Sequence, residues 1–235
     1  MVSNPGLNWR KAGRTALNAL LPQSCLLCGA GDSAASGDAL CAACRDDLPG
    51  LDPMHCPVCA LPTPDGRQCG ACLKSPPHFD ATHATYRYAF PLDRLLQHYK
   101  YGQRLLVSAL FDGRINADVD AVVAVPSTPA HLQTRGFNPA LELARPLARR
   151  MKVPLLLDAV TRPMNAPAQA GLPWKERRKN IRNAFECHAD LSGRRILVVD
   201  DVMTTGATLD ELARTLKRHG AVRVENRVIA RALKE

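Results

Sequence analysis

The chain has 235 residues, enough for one or two domains and a sizeable core, and carries a formal charge of +9. Residues 1–78 are neutral, with six Lys or Arg against six Asp, so the remaining 25 basic and 16 acidic residues hold the whole excess. That asymmetry suits an anionic ligand or nucleic acid at the second part, or simply a basic soluble surface, and the lack of a run of about 18 apolar residues speaks against a membrane-spanning helix.

The first 20 residues are expected to form a separate amphipathic segment. From Trp9 to Leu21, Arg10, Lys11 and Arg14 alternate with Ala16, Leu17, Leu20 and Leu21, a pattern for a short helix that packs on the protein, with a membrane-surface role as the alternative. It lacks the apolar core of a secretory signal, so a cytoplasmic location is expected.

Eight of the nine cysteines then fall into four Cys-x-x-Cys pairs: Cys25 with Cys28, Cys41 with Cys44, Cys56 with Cys59, and Cys69 with Cys72. Two thiolates at that spacing can face one metal, and two such pairs complete a tetrahedron, so the eight cysteines predict two structural zinc sites. The 12-residue gap from Cys28 to Cys41 and the 9-residue gap from Cys59 to Cys69 fit neighbours pairing in sequence. An interleaved arrangement satisfies the spacing too. Between the pairs lie turn formers such as Gly29, Gly37, Pro57, Pro62 and Gly66, with few large apolar side chains, so metal must supply the order that a core cannot. Disulfides and an iron-sulfur cluster are the competing uses; disulfides are disfavoured without a secretion signal. Four thiolates leave zinc no open position, which makes the sites structural. His55 and His78 lie nearby as weaker candidate ligands, and Cys187 is expected to be a small buried residue.

Lys74 to Pro77 reads as a linker. Leu92, Leu95, Leu96 and Tyr99 recur at helical spacing, with Lys100 in the last turn and Gly102 as the stop, and a second helix is expected from Arg104 to Phe111. Ala121 to Val125 is a buried strand that breaks at Pro126-Ser127-Thr128-Pro129. After Arg135-Gly136-Phe137, Asn138 caps a helix with Pro139 at its first position, and Pro146 inside that helix predicts a kink near Glu142. Residues 161–185 are irregular and contain the densest positive run, Lys175, Arg177, Arg178, Lys179 and Arg182. It is either a solvated basic face or a loop that closes on pyrophosphate. The final segment alternates, with Val222, Val224, Asn226, Val228 and Ala230 on one side and Arg223, Glu225, Arg227 and Arg231 on the other, as a half-exposed edge strand would.

The chemistry concentrates between residues 194 and 220. Ile196, Leu197, Val198 and Val199 form an apolar run without alternation, expected of a parallel strand buried on both faces and ending at Asp200 and Asp201. Val202 and Met203 lead into Thr204-Thr205-Gly206-Ala207-Thr208, and Leu209, Leu212, Ala213 and Leu216 mark one face of a helix ending at Gly220. A helix N-terminus beyond a strand's carboxyl end holds phosphate through its unpaired N–H groups. Gly206 lets the backbone close on the anion, Thr204, Thr205 and Thr208 offer hydroxyls, and the paired carboxylates suit a ribose diol. Phosphate beside a diol means a phosphorylated sugar. A response-regulator receiver opens with a similar strand, but only 34 residues follow Asp201; a Walker A loop would need a Gly-Lys-Ser/Thr ending.

Val-Val-Asp-Asp-Val-x-Thr-Thr-Gly-Ala-Thr resembles the signature of type I phosphoribosyltransferases. With the cysteine-rich head, Val-Pro-Ser, and Arg-Gly-Phe-Asn, the chain from Leu21 onward resembles the ComF family, bacterial proteins associated with competence and DNA uptake or use. The resemblance implies an α/β fold, a phosphoribosyltransferase-like parallel sheet flanked by helices over residues 78–235, preceded by a double zinc ribbon over residues 21–77. It implies that Asp200 and Asp201 hold the ribose of phosphoribosyl pyrophosphate (PRPP), that Val202 to Thr208 form its phosphate loop, and that Ser127, Thr128 and Arg135 lie near pyrophosphate. Lys100 and Arg177 are further expected contacts. Mg²⁺ is expected with the PRPP, transfer of phosphoribosyl to an unknown acceptor is the expected reaction, and single-stranded DNA or a DNA-uptake helicase is a candidate partner. A non-catalytic nucleotide- or DNA-binding module and a partner-docking adaptor are the alternatives. In the basic stretch the family pattern Arg-x-Arg-x-Thr-x-x-Gln is matched at Arg162 and Gln169, while Met164 and Ala166 replace its second Arg and its Thr; Arg177 and Asn180 match again.

Overall fold

A computed structural model describes residues 24–30, 39–100, 117–163 and 183–233. The chain divides into two compact units, Met1–Leu48 and Pro49–Glu235, and the division falls between the two halves of the cysteine-rich head. Lys74 to Pro77, expected to link two domains, lies inside the second unit.

The first unit holds Cys25, Cys28, Cys41 and Cys44 and one short helix, α1 (Ala42–Asp46). Turn chemistry dominates: Gly29 takes φ +73° and donates its N–H to Cys25 O at 2.8 Å, and Leu26 N–H donates to Ala39 O at 3.0 Å.

The second unit begins with the other four cysteines and α2 (Gly70–Lys74), followed by β1 (Ala81–Arg87) and α3 (Leu92–Lys100). Then come β2 (Ala121–Ala124), α4 (Pro129–Arg135), α5 (Pro139–Met151), β3 (Val160–Thr161) and β4 (Glu186–Cys187). The chain closes with β5 (Arg195–Met203), α6 (Ala207–Arg218) and β6 (Arg223–Arg231). Four strands form a parallel sheet in the order β1-β6-β5-β2, while β3 and β4 make a separate antiparallel pair. All four carboxyl ends of the parallel sheet therefore share one edge, where α/β folds bind ligands.

Ile196, Leu197, Val198 and Val199 are fully buried, as an apolar run covered on both faces requires. Leu209, Leu212, Ala213 and Leu216 form the buried face of α6. On α5, Asn138 caps through its side chain, which accepts Ala140 N–H at 3.1 Å, and the helix continues through Pro146 to Met151. The expected helix at 104–111 lies outside the described residues.

Three expectations are corrected. Strand β5 does not end at the aspartates but runs on to Met203, because β6 is long enough to pair with it up to Met203↔Arg231. Nor is β6 an edge strand: β1 adds alongside it, and every residue from Val224 to Arg231 is buried. Its polar side chains face partners rather than water. Glu225 Oε2 meets His83 Nε2 at 2.7 Å, Asn226 Nδ2 donates to Thr82 Oγ1 at 3.2 Å, and Arg227 Nη2 donates to Thr85 Oγ1 at 2.9 Å. Cys187, expected to be buried, is half-exposed on β4, with its Sγ 3.5 Å from Ala189 O.

Candidate functional site

Asp200, Asp201, Val202 and Met203 occupy the last four positions of β5, Thr204 to Gly206 form the turn, and Ala207 and Thr208 open α6. Each aspartate folds one oxygen onto the next backbone amide: Asp201 N–H donates to Asp200 Oδ1 at 3.0 Å and Val202 N–H to Asp201 Oδ1 at 2.7 Å. Both carboxylates are half-buried at the sheet's ligand edge.

Gly206 is the N-cap of α6 at φ +79°. A Cβ there would stand 2.6 Å from Met203 Cε, in a backbone region that L residues avoid. Thr205 Oγ1 accepts the Ala207 N–H at 2.9 Å, so this hydroxyl is first of all a local cap and keeps its own proton to donate. The backbone N–H groups of Thr204, Thr205 and Gly206 donate to no protein acceptor among the described residues. Three amides in a turn before a helix N-terminus form a ready anion cradle.

Strand β2 supplies the second loop. Val125 N–H donates to Val199 O at 2.9 Å, so the turn of Pro126, Ser127 and Thr128 leaves the sheet beside Asp200. That turn carries a helix that sequence reasoning missed: Thr128 Oγ1 accepts His131 N–H at 3.3 Å and caps α4, with Pro129 at its first position and Gly136 closing it at φ +73°. Thr128 followed by Pro129 was the signal for it. Arg135 is the last residue of α4 and is half-buried. Asn138 Nδ2 donates to Val125 O at 3.0 Å and ties α5 to the same loop. Arg162 stacks over Phe185, its guanidinium 5.6 Å from the ring centroid. Burial lowers its pKa, and the negative charge of Asp200 opposes that shift. Lys100 ends α3, with its side chain outside the described residues, as is the whole of Arg177.

The cysteines settle into sequential sets. Cys25, Cys28, Cys41 and Cys44 form one cluster and Cys56, Cys59, Cys69 and Cys72 the other, each with all four sulfurs within 4.8 Å of one another. A tetrahedron with Zn–S bonds of about 2.3 Å has edges of roughly 3.8 Å. Cys28 Sγ lies 3.8 Å from Cys41 Sγ, and Cys59 Sγ lies 3.6 Å from Cys69 Sγ. Backbone amides already solvate the charge: Cys41 N–H points at Cys25 Sγ at 3.4 Å and Cys69 N–H at Cys56 Sγ at 3.3 Å. At Cys25 burial disfavours the thiolate, but amide hydrogen bonds outweigh it and bring the pKa down to about 6. At Cys59 burial wins and the pKa rises to about 11. Without a cation the four sulfurs cannot all ionise together; with Zn²⁺ they can, and the two cysteine sets fit two zinc sites. His55 and His78 belong to neither cluster: His55 Nδ1 meets Asp52 O at 2.6 Å, and His78 Nδ1 meets Asp210 Oδ1 at 3.0 Å.

Arg231 and Phe79 also matter to the site and went unread in the sequence. Phe79 is buried beneath Gly206. Arg231, expected on an exposed face, is 4% exposed and donates to carbonyls of both the second cysteine knuckle and the turn after β5. Ile229, an apolar residue between Arg227 and Arg231 on the same side of the strand, was the sign that this face was covered. A cleft of about 240 Å³ runs between knuckle and turn, lined by Cys59, Leu61, Phe79, Met203, Thr205 and Arg231 among others.

Comparison with known proteins finds matches to both parts of the chain. A double zinc ribbon domain matches residues 16–73, and a phosphoribosyl transferase domain matches residues 137–234. The DNA utilization protein YhgH of Escherichia coli (strain K12) is 32% identical over 77% of this chain and 86% of its own length. Competence protein F of Haemophilus influenzae is 31% identical over 82% of this chain and 90% of its own. Among solved structures, a glutamine PRPP amidotransferase from B. subtilis overlays with a TM-score of 0.39 and 17% identity, over 56% of this chain and 26% of that one.

Proposed function

The chain belongs to the ComF family, and from that premise we propose that it binds PRPP with Mg²⁺ and transfers the phosphoribosyl group to an acceptor, in the service of DNA uptake or use. The observation that carries the reading is the turn after β5: three backbone amides without acceptors among the described residues, a left-handed glycine and a helix N-terminus, all directly beyond two adjacent carboxylates.

The amides of Thr204 to Gly206 and the hydroxyls of Thr204 and Thr208 hold the 5-phosphate, and Asp200 and Asp201 accept from the ribose hydroxyls. Ser127, Thr128 and Arg135, beyond β2, face the pyrophosphate. Carboxylates are the hard oxygen donors that Mg²⁺ takes together with substrate phosphates, and the ion supplies neutralisation of the leaving pyrophosphate. As the bond from the anomeric carbon to pyrophosphate lengthens, positive charge grows on the ribose. Asp200 and Asp201, fixed in place by their hydrogen bonds to the following amides, stabilise it electrostatically without reorganising. The nucleophile then closes the new bond at that carbon as pyrophosphate departs. The names of the relatives, DNA utilization and competence, support placing this activity in DNA handling.

Incubation of the zinc-loaded protein with PRPP, Mg²⁺ and a panel of nucleobases, nucleosides and short single strands should release pyrophosphate, and Asp201→Asn should slow release on the order of 10²-fold. PRPP binding without turnover across the panel would instead favour a non-catalytic sensor or DNA-binding role.

A further inference from the structure

We infer that Arg231 is a positioning residue, through which the second cysteine cluster sets the direction of the phosphate-turn amides. This rests on the reading of that turn as the sugar-phosphate site.

A guanidinium that is 4% exposed needs both hydrogen-bond acceptors and compensating charge. Its partners among the described residues are carbonyl oxygens, with the Cys59 side chain beside it. Nε donates to Cys59 O at 2.7 Å, and Nη1 donates to Met203 O at 3.0 Å, to Thr204 O, and to Ala232 O at 2.6 Å. No carboxylate is among them. Compensation comes from the cluster itself, because zinc held by four thiolates carries a net double negative charge and Cys59 is one of its ligands.

The same cation fixes the turn. In a trans peptide the C=O and the following N–H point in opposite directions. Drawing the carbonyls of Met203 and Thr204 onto the guanidinium therefore aims the amides of Thr204 and Thr205 away from it, and these amides have no acceptor among the described residues. Backbone bonds hold the frame around the clamp: Ala232 N–H donates to Met203 O at 2.9 Å, and Thr82 N–H donates to Pro57 O at 3.1 Å, joining the knuckle to β1. The planar fork is essential, since one side chain must reach the knuckle and the turn at once. A lysine ammonium supplies the charge but not the span of fixed donors.

The test uses full-length, zinc-loaded Arg231→Lys and Arg231→Met. Amide hydrogen exchange is followed at Thr204 to Gly206 against Val122 to Ala124, together with zinc content, thermal melting and calorimetric titration with ribose 5-phosphate. In Arg231→Lys we expect two zinc ions per chain and a cooperative melt, turn amides that exchange about 10-fold faster, and ribose 5-phosphate affinity weakened about 10-fold or more. A purely structural charge would be rescued by lysine, so wild-type exchange and affinity in that variant would overturn the inference. If Arg231→Met does not fold, the lysine variant alone decides. If the wild type fails to bind ribose 5-phosphate while turn exchange still answers to Arg231, the sugar-phosphate reading falls and the coupling stands.

Discussion

Asp200 and Asp201 are adjacent near the end of β5, and one oxygen of each accepts the N–H of the residue that follows. Gly206 is the most constrained position in the turn, combining positive φ with a 2.6 Å approach of Met203 Cε to any Cβ. The Met203 side chain can move aside, but the backbone cannot relax cheaply, so Gly206→Ala should cost about 1–2 kcal/mol in urea unfolding and weaken ribose 5-phosphate binding. An unchanged unfolding midpoint would mean that the turn is not held in this conformation. Residues at this scale were readable where the motif names them. Arg231 was not, because nothing in one strand's alternation says which neighbour covers its polar face.

Among elements, β5, its turn and α6 could be read directly from the sequence, since an uninterrupted apolar run, a carboxylate pair and a 3.6-residue apolar stripe each have one simple reading. Helix α5 was legible from its Asn-Pro start. Strand β1 escaped notice because Ala81-Thr-His-Ala-Thr-Tyr-Arg87 has little apolar contrast, and once it is missing β6 reads as an edge. The sheet is pinned at its other end by Asp120, which accepts Arg195 Nη2 at 2.8 Å and Arg195 backbone N–H at 2.8 Å just before β2 pairs with β5. The Arg195 side chain first, then its amide, holds the Asp120 pKa down to about 2. A carboxyl depressed in the folded state stabilises above its unfolded value of about 3.9, and that contribution is lost as pH falls through about 2. Unfolding midpoints should therefore fall between pH 4 and pH 2 in the wild type, and Asp120→Asn should flatten that part of the profile. A parallel decline in the variant would assign the acid sensitivity to other groups.

At the scale of the whole molecule, eight cysteines make two metal centres in two compact units, one in Met1–Leu48 and one in Pro49–Glu235. The cysteine spacing announced both centres; it could not choose sequential over interleaved pairing, since either set of gaps closes a tetrahedron. Metal analysis should give two zinc ions per chain, falling to one in Cys28→Ser and to one in Cys72→Ser. The double variant Cys28→Ser/Cys44→Ser should still hold one ion; loss of both ions there would argue for an interleaved arrangement, which puts those two cysteines in different sites. Among the described residues no helix is long and apolar enough to cross a membrane. The charge of +9 is carried entirely by residues 79–235.

Everything functional depends on the turn after β5 receiving a ribose phosphate, and calorimetric titration of the zinc-loaded protein with PRPP, with and without Mg²⁺, examines that most directly. Saturable one-site binding that tightens with Mg²⁺ and weakens on the order of 10²-fold in Asp201→Asn is the expected result. Heats indistinguishable from dilution under both conditions, or binding that Asp201→Asn leaves intact, would contradict it.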